Sequence, residues 1–174
     1  MNLRNRLLLF LLTCSVFIAV SSLEICIAQD SSSASADPLA PFARLIGGKW
    51  YLGETSQVFE WGVGKKIIIS SSYFVSDKGE KLVSQGNWFW HPGEKQLKGY
   101  FVAIDMPVAF FDYTTRFEGN KMINALKSYT PKGKLETYSE IFEFTSDNEY
   151  QWTLYSETPT GAKKVMEGKF IRKQ

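Results

Sequence analysis

Glu140 stands in the run Tyr138-Ser139-Glu140-Ile141-Phe142-Glu143-Phe144, where strand alternation puts it on one face with Tyr138, Phe142 and Phe144. A carboxyl held among aromatic rings loses its hydration, and burial would raise its pKa towards a value useful for proton transfer. The competing reading puts Glu140 at a rim, paired with a lysine, because Glu136 and Glu143 show that acids are common in this stretch. Arg116 shares a face with Asp112 and Thr114, opposite Phe111, Tyr113, Thr115 and Phe117. Pointing inward, Arg116 would anchor a ligand carboxylate. The aromatic row suits an interior better, which favours Arg116 in a solvated outer row beside Asp112.

His91, the only histidine, lies in Asn87-Trp88-Phe89-Trp90-His91-Pro92-Gly93. To ligate a metal or haem it would need an inward direction and an acceptor for its other ring nitrogen. Directly before Pro92 it reads instead as the residue where a strand enters a turn. That reading is favoured, and no cofactor is expected. Zinc would need further histidine or cysteine ligands. Ser70-Ser71-Ser72 lies inside a strand-like run without a Gly-x-Ser-x-Gly elbow, so serine hydrolase chemistry has little support. Phosphate loops, dinucleotide fingerprints and calcium loops are missing from the sequence.

The elements that must position these groups begin after a hydrophobic leader. Arg4 and Arg6 precede an apolar run from Leu7 to Val20, and Cys26-Ile27-Ala28 offers a small-x-small cleavage site. This predicts a secretory signal peptide over residues 1–28 and a secreted or periplasmic protein with no stable membrane anchor after cleavage. Both cysteines, Cys14 and Cys26, would leave with it. Thiol nucleophiles, zinc–thiolate sites and iron–sulfur clusters are then excluded. Cleavage takes Arg4, Arg6 and Glu24 from the 20 basic and 18 acidic side chains, leaving a net charge of +1. Such balance argues against a nucleic-acid partner. Residues 29–40, rich in serine and alanine, read as a flexible linker, and residues 41–174 as one domain.

From Gly48 onward about ten short β-branched and aromatic runs alternate with turn signals such as Asp77-Lys78-Gly79, Pro92-Gly93, Gly119-Asn120 and Pro131-Lys132-Gly133. An open sheet of that size would leave two bare edges. A closed up-and-down antiparallel barrel, all-β with little or no helix, removes them. A two-sheet sandwich is the runner-up, and the short connections count against it. In the last two runs Tyr150, Trp152, Leu154, Met166, Phe170 and Arg172 share the side predicted to face inward. Leu97 to Ile104 is apolar on both faces, so its register is open.

Gly48-Lys49-Trp50, opening the first strand after a short Pro41-to-Leu45 segment, resembles the Gly-x-Trp signature of lipocalins and their calycin relatives. Phe111-Asp112-Tyr113 is similar to the lipocalin Thr-Asp-Tyr motif, with Phe for Thr. Arg172 takes the place of the lipocalin arginine that packs across the motif tryptophan. The resemblance implies a cation–π contact between Arg172 and Trp50 that ties the first strand to the last, worth roughly 0.5–2 kcal/mol. Between Leu52 and Gln57 there is no room for the helical lid of fatty-acid-binding proteins. The chain is most similar overall to lidless, ten-stranded nitrobindin-like barrels. Nitrobindins bind haem through a histidine late in the chain, and the last strands here contain none, so haem is not implied.

These readings converge on a barrel that binds a small apolar or amphipathic molecule in an aromatic-lined lumen, with no catalysis implied. The expected lining is Trp50, Tyr138, Glu140, Phe142, Trp152, Leu154, Met166 and Phe170. The alternatives are an isomerase or cyclase built around a buried carboxylate, and a filled barrel acting through surface contacts.

Overall fold

The structure, a computed structural model, describes residues 37–174. The expected signal peptide and most of the expected linker lie outside the described residues. The strands are β1 (Lys49–Leu52), β2 (Thr55–Trp61), β3 (Ile67–Ser76), β4 (Gly79–His91) and β5 (Gln96–Ala103), followed by β6 (Phe110–Glu118), β7 (Lys121–Tyr129), β8 (Leu135–Ser146), β9 (Glu149–Thr158) and β10 (Gly161–Lys173). Each pairs antiparallel with its neighbours in sequence, and β1 closes on β10, giving a ten-stranded closed barrel. Closure rules out the two-sheet alternative and leaves no exposed edge.

Register decides which side chains face the lumen. Across β3 to β7 the inward row runs Ser70, Gly86, Phe101, Phe111 and Ser128. One step along lie Trp88, Gly99, Tyr113 and Leu126. The open register of Leu97 to Ile104 is thereby settled. Leu97 and Phe101 are buried, while Tyr100 and Val102 are exposed on the outer wall. In β9 and β10, Tyr150 pairs with Phe170 and Leu154 with Met166, as alternation predicts.

One end of the barrel is plugged. A 3-10 segment, Ala40–Leu45, carries Phe42 and Leu45 into the lumen, where both are fully buried. Phe42 meets Trp88 at 5.4 Å and Phe117 edge-on at 5.0 Å between ring centroids. The plug is held by the motif residues. Trp50 Nε1 donates to the Leu45 carbonyl at 2.9 Å. The Arg172 guanidinium lies 4.3 Å from the centre of the Trp50 ring and donates to the carbonyls of Arg44 and Ile46. Gly48 is required by this closure. Its φ is +73°, and a Cβ there would stand 2.7 Å from the Lys173 carbonyl oxygen.

The cation–π contact implied by the Gly-x-Trp resemblance is therefore present. It joins the first strand, the last strand and the plug at one place. The fold agrees with a calycin-like barrel at this level.

Candidate functional site

Beyond the plugged end the lumen is not filled. A cavity of about 130 Å³ lies within the barrel, walled by Phe59, Trp88, Phe101, Phe111, Tyr113 and Phe142. Its polar lining consists of Gln57, Ser70, Ser72, Ser84 and Glu140. A wider vestibule of about 550 Å³, edged by Phe74, Ile104 and the Lys81–Asp105 ion pair, lies at the unplugged end. Ser84 and Met106 line both spaces, so cavity and vestibule meet at these two side chains.

Glu140 comes from the middle of β8, with Asn124 of β7 and Leu154 of β9 as its cross-strand partners. Asn124 Nδ2 donates to Glu140 Oε2 at 2.8 Å, and Trp152 Nε1 donates to Oε1 at 2.6 Å. Thr115 Oγ1 donates in turn to Asn124 Oδ1 at 2.7 Å. Asn124 and Thr115 are both buried, so this chain fixes the amide and through it the carboxyl. A second pair, Tyr150 hydroxyl to Gln57 Oε1 at 2.9 Å, ties β9 to β2 across the lumen.

Burial raises the Glu140 pKa above its usual 4.5, while the Trp152 and Asn124 donors pull it down. Tyr113 and Tyr150 are raised well above 10.0 by burial and by the Glu140 charge. Because the folded protein holds the Glu140 proton more tightly than the unfolded chain, this group favours folding fully below pH 4.5. That contribution is lost as pH rises from 4.5 through the raised folded value. Half-exposed Glu136 and Glu149, whose pKa values are lowered by Lys134 and Thr145 donors, act in the opposite sense below 4.5. Glu140→Gln is therefore expected to gain stability relative to the parent as pH climbs above 4.5, by about 1.4 kcal/mol per unit of displaced pKa. Thermal unfolding of both proteins from pH 4 to pH 8 checks this. A difference in Tm that does not change with pH would show that the folded state leaves this carboxyl unperturbed.

The structure sorts the residues expected to line the lumen. Glu140 and Phe142 face the cavity, and Trp152 reaches it through Glu140. Trp50 and Phe170 sit in the plugged end, where Phe170 stacks on Tyr150 at 4.9 Å, and they do not line this cavity. Tyr138 turns its hydroxyl to Glu136 Oε2 at 2.9 Å. Leu154 is half-buried, and Met166, though in the inward register, is 57% exposed where β10 runs out beyond the packed core. The reason is axial. Alternation tells inside from outside, but not how far along the barrel a residue lies from the plug.

Arg116 points outward, as the solvated reading has it, but pairs with Glu118 at 2.6 Å and not with Asp112. Asp112 pairs with Lys98 at 3.6 Å on the same outer wall. His91 ends β4 outside the lumen, and its Nδ1 accepts the Glu94 backbone N–H at 3.0 Å across the Pro92-Gly93 turn. Among the described residues no group of three or more His, Cys, Asp or Glu is placed to hold a metal ion.

Several residues of the cavity and its supports escaped the sequence reading. Ser70 and Ser72 belong to the triplet weighed only for hydrolase chemistry; as alternate residues of β3 they are small inward groups that leave space. Asn124, which holds Glu140, could have been found as the one amide on the inward row of β7, between Met122 and Leu126. Met106 comes from the loop between β5 and β6 and carries no periodic signal. No known protein-family profile matches the chain, and no curated protein matches it in sequence.

Proposed function

We propose that this chain is a nitrobindin-like member of the calycin barrels that takes up a small apolar or amphipathic molecule in its lumen. On this reading, cleavage of residues 1–28 leaves a secreted or periplasmic binding protein. The carrying observation is an unfilled, aromatic-walled cavity in a barrel whose other half is densely packed. Interiors close such gaps unless something keeps them open. Here small inward residues, Ser70, Ser72 and Ala103, maintain the gap between large rings.

Size narrows the ligand. Pockets for drug-sized molecules run to ~300–1,000 Å³, against about 130 Å³ here. An engineered apolar cavity of ~150 Å³ accepts benzene. The cavity therefore suits a head group of about that bulk, with any tail emerging past Met106 into the vestibule. Haem and retinoid-sized rings exceed it.

Trp88 lines the cavity and Trp152 donates to its carboxyl, so intrinsic fluorescence reports on occupancy. Titration with octan-1-ol or toluene is expected to change tryptophan emission saturably, with the change reduced in Trp88→Phe. A linear response to both ligands, indistinguishable from free tryptophan, would refute the reading.

A further inference from the structure

We propose that the lumen selects a small organic cation, a tertiary or quaternary alkylammonium head with a short polar tail, held against Glu140. This rests on the lumen being a binding site and names its ligand class. Both Glu140 oxygens accept hydrogen bonds, from Asn124 at 2.8 Å and Trp152 at 2.6 Å. Donors on both oxygens lower the cost of ionising this buried carboxyl without cancelling it. Yet no lysine, arginine or histidine lines the cavity, and no ion pair reaches Glu140 among the described residues. Buried charges are ordinarily paired. The counter-charge missing from the protein is what the ligand supplies.

The walls fit the same ligand. Six aromatic residues surround the space in front of the carboxylate, and ring faces attract cations within about 6 Å. Trp88, Phe101 and Tyr113 form a mutually packed group, with centroids 4.6 Å apart for the first two and 4.9 Å for the last two. Such walls solvate an ammonium without offering it hydrogen-bond acceptors, which favours alkylated nitrogen over a primary amine. The volume of about 130 Å³ matches a trimethylammonium head. Towards the vestibule the lining changes to Ser70, Ser72 and Ser84, hydroxyls that would meet the polar tail.

A three-ligand titration on the unmodified protein, followed by tryptophan fluorescence at constant ionic strength, tests this. The ligands are choline, its neutral isostere 3,3-dimethylbutan-1-ol, and the anion 3,3-dimethylbutanoate. Choline is expected to bind at least tenfold more tightly than the alcohol, and the anion most weakly. In Glu140→Gln, choline should fall to the affinity of the alcohol. Equal or tighter binding of the alcohol to the unmodified protein would overturn the cation assignment while leaving an apolar lumen site intact. Failure of all three to bind would overturn both. The ligand series decides the matter by itself should Glu140→Gln fail to fold.

Discussion

Trp50→Ala is expected to destabilise the barrel by about 3–5 kcal/mol, the usual cost of emptying a large buried aromatic site. Trp50 is fully buried and packs on Tyr150 with ring centroids 4.8 Å apart. Its indole N–H also holds the Leu45 carbonyl at 2.9 Å. Its upper face carries the Arg172 guanidinium, whose Nε is buried without a hydrogen-bond partner of its own. Removing the ring therefore opens a cavity, frees the plug and strands a charged group at the seam between β1 and β10. Domains of this size are stable by roughly 5–15 kcal/mol, so the loss would be a large fraction of the total. Urea unfolding should show a much lower midpoint, and Tm should fall by about 10 °C or more. Trp50→Phe, which keeps a ring but loses the donor, should cost about 1–2 kcal/mol. A change below about 1 kcal/mol for the alanine variant would mean that the plug and seam do not depend on this contact.

Gly86→Val is the second large effect, and intrinsic propensity predicts the opposite sign. Valine is preferred over glycine in strands, so a local reading of β4 expects stabilisation. The packing forbids it. An ideal Cβ on Gly86 would stand 2.0 Å from the Tyr100 carbonyl oxygen and 2.5 Å from the Phe101 ring. The oxygen belongs to the neighbouring strand and cannot retreat without loosening β4 from β5. Overpacking typically costs ~1–3 kcal/mol, and the backbone clash places this variant at about 3 kcal/mol or beyond. Phe101 walls the cavity, so its displacement should also weaken the fluorescence response to ligand. Chemical unfolding and the octan-1-ol titration measure the two consequences separately. Unchanged or increased stability would show that the wall yields freely at this point.

These two positions mark how far the residues could be read without coordinates. Trp50 was legible because its neighbours carry a signal: a glycine before it, a strand after it and Arg172 near the far end. Gly86 was not, because its role lies in the carbonyl and ring that register brings alongside from β5. Glu140 falls between them. Its alternation with Tyr138 and Phe142 marked a carboxyl among aromatics, and the structure buries it there. Its partners Asn124 and Trp152 come from two other strands, and no spacing within one segment announces them. Met166 shows the converse limit, since correct alternation placed it on the inward row but could not tell that β10 there lies beyond the packed core.

The sequence by itself determined the strands and their antiparallel order and favoured closure of the barrel, because alternation, turn residues and the cost of bare edges are local or counting properties. It also favoured places outside the lumen for Arg116 and His91, through the aromatic row opposite one and the proline after the other, and the structure puts both there. Only the tertiary structure decided where the lumen is filled and where it stays open. That outcome depends on which side chains share a level along the axis, and level is set by register, bulges and the plug at Phe42 and Leu45. A carboxylate with two donors, no counter-ion and a ring-walled space before it exists only at that level of organisation.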